Sequence, residues 1–423
     1  MVEIKKDLKY LLGVFENYFD ENKTRINKSL ERATNALHHK KIDRIPVWQT
    51  SQTVLYPRHE IFSSPKKNLI MQLANIILTL EHETDYVPYL DPFEGVTLLS
   101  EAFGCPVEVP HNGDPYIKSP LINVPRDVYN LKKPDKDNAV YKRVFDTLKF
   151  FEKETNYQIP VGATDPQGPL DIASLIFNNN DFLIACISNK REVHYLLSLI
   201  TEAFIEFYTR QYELLKNPAF PVHSFPLVNS NDGIAVSDDE SVLLSPELFE
   251  EFGVPYLNKI SDAFGGLYYH SCGDFGHILD KILKIENLRA INGHLSPKEF
   301  KPECIGKVLS KGVGLFLGIS NKEIGWDDSS KWSCDRLLDT YRNYYIHNAI
   351  KESKGKGIVL VGYGSYHGYI DESIDNKGKD MVGISGHAID EDCFANIPVE
   401  RKNKNFNEII KTIEDKKNEL KVR

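Results

Sequence analysis

The sequence predicts an α/β fold, a (β/α)8 TIM barrel with N-terminal helices and a C-terminal helix. Short apolar runs alternate with longer segments of helical periodicity, and eight such runs occur along the chain. A doubly wound open sheet is the alternative, but no Gly-x-Gly-x-x-Gly motif follows the first strand. A chain of 423 residues buries roughly three quarters of its unfolded surface, enough for one enlarged barrel.

The predicted elements follow from these periodicities in chain order. Apolar spacing predicts two N-terminal helices, at about 7–18 and 27–38, and Ser-Pro pairs predict helix starts at Ser64 and Ser245. Further long helices are expected at 189–215 and 329–353. The predicted strands are 45–48, 86–90, 158–163, either 222–228 or 233–236, 267–270, 288–291, 313–318 and 358–361.

The chain divides into three parts by composition. Residues 1–40 are predicted to form a helical extension, and residues 41–400 the barrel, with a Pro-, Gly- and Asn-rich insertion near 104–136. Residues 401–423 are predicted to form a C-terminal helix, because Phe406 and Ile413 lie on one helical face.

Composition excludes several classes of protein. A net charge of −9 argues against nucleic acid as the main partner. No charge-free stretch is long enough to cross a bilayer, and the acidic N-terminus does not resemble a secretion signal. The six cysteines form no CxxC pair, which indicates reduced thiols. We therefore expect a cytoplasmic protein without a membrane partner.

In a barrel, catalytic groups lie at the carboxyl ends of the strands. Polar residues follow the predicted strands of this chain at those ends, and we expect five of them to contact a small-molecule substrate. These five are Gln49, Asp165, Gln167, His294 and Tyr363. The segment containing Asp165 and Gln167 is also typical of a simple turn.

His270 and Cys272 are the strongest candidates for metal ligands in the sequence. Residues i and i+2 of an extended segment point to the same side, so these two side chains can bind one cation together. Zinc accepts imidazole nitrogen and thiolate sulfur, and catalytic zinc has three protein ligands with one open position. The alternative is a core histidine beside a buried thiol. Asp239 and His367 are further ligand types in the same set of loops.

The paired acids Asp238 and Asp239 follow the fourth predicted strand. Carboxylates at a strand end can act as general acid or base groups, or bind a metal or a substrate. An acidic loop that complements the N-terminus of a helix is the alternative interpretation.

The segment 269–274, Tyr-His-Ser-Cys-Gly-Asp, follows the segment Leu-Ser-Pro-Glu-Leu-Phe-Glu-Glu-Phe at 244–252. These motifs, together with Asp-Arg-Ile-Pro-Val at 43–47, Asp-Pro-Gln-Gly-Pro-Leu at 165–170 and Ser-Asp-Asp at 237–239, resemble the uroporphyrinogen decarboxylase superfamily. The chain is most similar to the branch that contains corrinoid-dependent methyltransferases. The resemblance covers roughly residues 27–370 and implies a (β/α)8 barrel.

The resemblance implies a function for several of these residues. Uroporphyrinogen decarboxylases carry an arginine-containing loop after the first strand, where this chain has no arginine before Arg58. Asp85 matches the place of the pyrrole-binding aspartate of that family. The methyltransferase branch shares the His-x-Cys pair, and its third zinc ligand is a cysteine where this chain has Tyr363. His367 or Asp239 is then the expected substitute.

The function expected from this resemblance is zinc-dependent transfer of a methyl group between a small thiol or methoxy compound and a corrinoid. The corrinoid would be carried by a partner protein, since no corrinoid-binding domain is recognisable in the sequence. Asp238, Asp239 and Asp85 are the predicted catalytic residues. His270, Cys272 and His367 are the predicted metal ligands. A metal-free decarboxylase of a tetrapyrrole and a non-catalytic tetrapyrrole-binding protein are the alternatives, and a homodimer is expected.

Overall fold

The barrel wall is built from parallel strands. The structure, a computed structural model, describes residues 3–111, 113–221, 225–229, 232–295, 300–319 and 346–370. Six of the strands form one parallel sheet in the order β1-β8-β7-β6-β5-β4, and β2 and β3 form a separate antiparallel pair. The strands are β1 (Val47–Val54), β2 (Val107–Glu108), β3 (Tyr116–Ile117), β4 (Ile234–Ser237), β5 (Leu267–His270), β6 (Leu288–His294), β7 (Gly314–Ile319) and β8 (Ile358–Ile370).

Two extended segments, residues 85–90 and 161–167, complete the barrel wall between β1 and β4. The Asp85 amide donates to the Val47 carbonyl at 2.8 Å, and Leu90 and Val161 bridge in parallel. The segment that contains Val161 continues to Gln167, which bridges to Ser237 at the end of β4. Eight strand positions therefore surround one axis, which confirms the predicted (β/α)8 barrel.

The helices surround this wall. Ser64 and Ser245 cap α3 and α9 as predicted, since each side-chain oxygen accepts from a backbone amide of the first helical turn. The helices are α1 (Leu8–Leu37), α2 (Arg58–Ser63), α3 (Pro65–Leu80), α4 (Leu98–Phe103), α5 (Ala139–Glu154), α6 (Pro169–Phe177), α7 (Asn179–Ser188), α8 (Lys190–Leu214), α9 (Pro246–Phe252), α10 (Val254–Phe264), α11 (Leu279–Ile282), α12 (Ile305–Leu309) and α13 (His347–Ser353).

The N-terminal region forms one helix rather than the two predicted. The polar stretch in the middle of α1 contains neither Pro nor Gly, so nothing in it ends the helix. Arg25 in this stretch donates to the carbonyls of Leu80 and Thr84, which fixes α1 against the C-terminal end of α3.

Other sequence predictions have mixed outcomes. The alternative of a fourth strand at 233–236 matches β4, whereas the described part of 222–228 forms no strand. The insertion near 104–136 contains β2, β3 and a 3-10 helix at Pro125–Asn130. Most of the predicted helix 329–353 and the whole C-terminal helix 401–423 lie outside the described residues.

Within the described residues, no single helix has the length and apolar character needed to cross a membrane. The bent pair Pro169–Phe177 and Asn179–Ser188 meets that criterion only when its two helices are taken together, across a bend of 108°.

Candidate metal and substrate site

Three metal-capable side chains converge at the carboxyl ends of β4 and β5. These strands are neighbours, with Ser237 paired to His270, so the loops that follow them start side by side. Asp239, His270 and Cys272 each offer a ligand atom, and these atoms all lie within 4.8 Å of one another. The Nε2 atom of His270 is 3.3 Å from the Cys272 Sγ atom and 4.0 Å from the Asp239 Oδ1 atom.

The three side chains differ in exposure. The His270 side chain is only 4% exposed, whereas that of Asp239 is 44% exposed. Cys272 has intermediate exposure. The group therefore has a buried imidazole side and a carboxylate side that faces solvent, as a site that admits both a metal and a substrate requires.

The loop after β5 is held in place by backbone and side-chain contacts. The Cys272 amide donates to the Asp239 Oδ1 atom at 2.6 Å, which ties the two loops together. Gly273 has a φ of 95°, a conformation that favours glycine and turns the chain away from Cys272. The buried Ser241 hydroxyl contacts the Tyr269 and Ser271 hydroxyls at 2.6 and 3.3 Å.

His270 also has a partner on the next strand. Its Nδ1 atom is 2.6 Å from the Oδ1 atom of Asn292, a fully buried residue of β6. Asn292 is absent from the predicted site residues, because an isolated Asn carries no recognisable motif. The sequence signal that could have indicated it is its place directly after the predicted strand 288–291, where a barrel has its catalytic groups.

Asp238 lies beside the group but serves as a helix cap. Its Oδ1 atom accepts hydrogen bonds from the Leu170 and Asp171 amides at the start of α6. Asp171 in turn accepts from the Asp239 and Glu240 amides at 3.0 and 2.8 Å. The alternative interpretation of an acid that complements a helix N-terminus therefore describes Asp238 well.

Burial raises the pKa values of both Asp238 and Asp171. Burial raises the pKa of Asp238 to about 8, and nearby Asp239 acts in the same direction. Burial also raises the pKa of Asp171 well above the usual carboxyl range, with the charges of Asp238 and Asp239 adding to the effect.

Asp165 and Gln167 lie at the same end of the barrel. The Gln167 Nε2 atom donates to the Asp165 Oδ2 atom at 2.8 Å, and the Tyr208 hydroxyl donates to the Asp165 carbonyl. Both predicted substrate residues are buried, and Gln167 bridges to Ser237, directly before the two acids. Through this bridge they are linked to the strand end that precedes Asp238 and Asp239.

The remaining predicted substrate residues lie on strands. Gln49 is half-buried within β1, where it pairs with Gly362. His294 ends β6, and its buried ring packs over Gly318 of β7. Tyr363 and the predicted ligand His367 belong to β8 by their backbone, and their side chains lie outside the described residues.

Asp85 lies away from this group. Its carboxylate accepts from the Val47 amide, at the first residue of β1, and pairs with Arg32 and Arg44. Because the strands are parallel, the start of β1 is at the opposite end of the barrel from the carboxyl ends of β4 and β5. This position corrects the expected catalytic role of Asp85, since the side chain serves instead to join α1 to the barrel.

The comparisons with known proteins agree with this architecture. The family profile described as "Uroporphyrinogen decarboxylase (URO-D)" matches residues 28–214, which end before the metal-capable group. A uroporphyrinogen decarboxylase of Flavobacterium johnsoniae is 24% identical over 242 residues, covering 55% of this chain. The match spans 66% of that relative's own length, just under two thirds.

A solved structure has a similar fold. A methyltransferase from Methanosarcina mazei matches with a TM-score of 0.59 at 18% sequence identity. The match covers 79% of this chain and 93% of that protein, so nearly the whole of its fold is present here. The sequence match and the shared barrel fold confirm the predicted resemblance of this chain to the uroporphyrinogen decarboxylase superfamily.

Proposed function

We propose that this protein is a zinc-dependent methyltransferase that moves a methyl group between a small thiol or methoxy compound and a corrinoid on a partner protein. The observation that carries the proposal is the convergence of Asp239, His270 and Cys272 at the carboxyl end of the barrel. The methyltransferase whose fold this chain shares supports the same class of reaction.

The donor set fits zinc. One imidazole nitrogen, one sulfur and one carboxylate oxygen are the three ligand types that zinc binds in proteins, and three protein ligands leave a position for substrate. We assign the third ligand to Asp239, where the resemblance implied a cysteine. When bound, zinc would act as a Lewis acid toward a thiol or an ether oxygen.

The protein's own residues would bind and orient the substrate. The solvent-facing side of Asp239 can contact a substrate that enters from the barrel mouth, and it can accept a proton there. Asp238 is buried and already caps α6, so Asp239 is the better candidate of the two acids. The paired side chains of Asp165 and Gln167 supply hydrogen-bonding groups beside it.

Decarboxylation of a tetrapyrrole is the second candidate, and the matched family profile and the Flavobacterium relative favour it. Such a substrate needs basic groups for its carboxylates. Arg58 follows β1, but its guanidinium pairs with Asp114 at the insertion, with Nε 2.7 Å from Oδ1. Asp85, the expected pyrrole ligand, lies at the other end of the barrel.

Metal analysis of the purified protein tests the proposal. We expect about one zinc per chain, lost in His270→Ala, Cys272→Ala and Asp239→Ala. His277→Ala and Cys304→Ala are matched controls, because both residues lie outside the group and should leave the zinc content unchanged. Stoichiometric zinc that survives both His270→Ala and Cys272→Ala would refute the assignment.

Activity assays separate the candidates. Demethylation of methylcobalamin with a panel of thiols, and demethylation of methoxy compounds in the presence of reduced corrinoid, are expected to give turnover. Turnover of uroporphyrinogen would instead establish the decarboxylase. Binding of a corrinoid or porphyrin without any product would indicate a non-catalytic tetrapyrrole-binding protein. Sedimentation in the same preparations tests the proposed homodimer.

A further inference from the structure

Asn292 holds a position that links the metal-capable group to the barrel wall. His270, Asn292 and Phe316 are paired in register on the adjacent strands β5, β6 and β7. Asn292 is fully buried and His270 is 3% exposed, so their contact is shielded from water. The side-chain amide of Asn292 contacts His270 on one side and the Phe316 backbone on the other.

These two contacts determine which way the Asn292 amide points. The Phe316 carbonyl can only accept, so the Asn292 atom 3.0 Å from it must be the NH2 nitrogen. A flipped amide would place its oxygen against that carbonyl, with two acceptors facing each other. The Asn292 oxygen therefore faces the His270 Nδ1 atom, at 2.6 Å.

The orientation of Asn292 in turn determines the tautomer of His270. An amide oxygen accepts only, so the proton of the neutral imidazole must be on Nδ1. The lone pair is then on Nε2, the atom that lies 3.3 Å from Cys272 Sγ and 4.0 Å from Asp239 Oδ1. The other tautomer would direct an N–H group into the metal position and leave two acceptors, Nδ1 and the Asn292 oxygen, in contact.

We propose that Asn292 is a positioning residue, which fixes His270 in the Nδ1–H tautomer and aims the Nε2 lone pair at the metal position. The inference rests on the proposed zinc site and adds a residue that acts through His270 rather than on the metal. Because the three strands hold Asn292 in place, the tautomer is selected before any metal binds. Partners of this kind contribute typically ten- to hundredfold to metal affinity.

Two substitutions of Asn292 test the proposal. Asn292→Leu has the same branched side-chain skeleton and removes both hydrogen bonds. Asn292→Asp keeps both contacts as the neutral acid that full burial favours, because its protonated oxygen donates to the Phe316 carbonyl and its other oxygen accepts from the His270 Nδ1–H group. Asn75→Leu is the matched control, since Asn75 is another buried amide, which lies in α3 and accepts from the Thr53 amide of β1. Circular dichroism and thermal unfolding establish which variants fold.

The first measurement uses metal-free protein labelled with ¹⁵N-histidine. A His270→Gln spectrum identifies the His270 signals, and wild-type protein should show a protonated Nδ1 and an unprotonated Nε2. Asn292→Asp and the Asn75→Leu control should keep this pattern, and Asn292→Leu should give a mixture of tautomers. An unchanged His270 pattern in folded Asn292→Leu would overturn the proposal.

The second measurement is zinc affinity by competition with a chromophoric chelator. We expect Asn292→Leu to raise the dissociation constant about ten- to hundredfold, Asn292→Asp to restore it to within a few-fold of wild type, and Asn75→Leu to leave it unchanged. Equal loss of affinity in Asn292→Leu and Asn75→Leu would overturn the positioning role. If Asn292→Leu does not fold, loss of the tautomer pattern in folded Asn292→Asp would overturn it.

The two failures are distinguishable. If wild-type protein binds no zinc, the proposed function fails, but the tautomer experiment in metal-free protein still decides whether Asn292 orients His270. If zinc binds and is lost in His270→Ala, while the tautomer does not depend on Asn292, the zinc site stands and the positioning role fails.

Discussion

Gly318 lies directly beneath the ring of His294. A Cβ atom at Gly318 would lie 2.0 Å from the His294 Cδ2 atom and 2.9 Å from its Nε2 atom. His294 is only 3% exposed, so its ring has little room to move away. A glycine at this point of β7 is therefore required by the close approach of a side chain from β6.

We expect Gly318→Ala to destabilise the protein by about 1–3 kcal/mol, because the added methyl group overpacks the barrel interior. Urea unfolding measures the effect. Gly13→Ala is the control: Gly13 lies inside α1 with nothing within 4 Å of an added Cβ, so this substitution should stabilise by about 0.5–1 kcal/mol. Equal effects of the two substitutions would contradict the packing argument.

At the scale of elements, two short segments cap each other beside the candidate site. Asp238, at the end of β4, accepts from the first amides of α6, and Asp171 of α6 accepts from the Asp239 and Glu240 amides. This reciprocal arrangement sets the position of Asp239. Since burial raises the pKa of both caps, the folded protein holds their protons more tightly than the unfolded chain does.

This difference predicts the direction of a pH effect. A carboxyl group whose pKa is higher in the folded protein than in the unfolded chain stabilises the folded state when it is protonated. This stabilisation is complete at a pH below the pKa of the unfolded chain, and it is lost as the pH rises to the pKa of the folded protein. For Asp238 this loss of stability extends from about pH 4 to about pH 8. We expect the urea midpoint of the wild type to fall between pH 6 and 8.5.

Asp238→Asn should make this fall smaller, because the amide cannot ionise and still accepts from the α6 amides. Asp262→Asn, at an exposed position of α10, is the control and should leave the slope unchanged. An identical slope in the wild type and Asp238→Asn would contradict the prediction.

Most of the wall strands are predictable from the sequence, because their apolar runs are local. The extent of β1 is not: residues 49–53 are Gln-Thr-Ser-Gln-Thr, which resemble a loop by composition. They form a strand because β8 pairs with them and because the Ser51 and Thr53 amides donate to Thr79 and Asn75 of α3. These partners are distant in sequence, so local composition cannot reveal them.

At the scale of the whole molecule, one carboxylate joins α1 to the base of the barrel. Asp85 has a side chain only 1% exposed, and it pairs with Arg32 of α1 and with Arg44 before β1. It also accepts from the Val47 amide at 2.7 Å. Three separate parts of the chain therefore depend on this group for their relative positions.

We expect Asp85→Asn to destabilise the protein by about 3 kcal/mol, near the lower end for a broken buried ion pair, because both arginines retain some exposure. Asp43→Asn is the control: it removes a partner of Arg32 that is 68% exposed, and it should cost less than about 1 kcal/mol. Denaturant unfolding measures both, and zinc content should change in neither. A stable Asp85→Asn protein that lacks activity would instead restore Asp85 to the catalytic site.

By itself, the sequence determined the barrel and the pairing of His270 with Cys272, because both depend on local periodicity: alternating short and long segments in one case, and the i, i+2 spacing of a strand in the other. The tertiary structure decided the rest of the site. It brought Asp239 and Asn292 to His270, turned Asp238 into a cap for α6, and placed Asp85 at the far end of the barrel. These outcomes depend on which strands are neighbours and in what register, and strand register is a property of the folded wall rather than of any one segment.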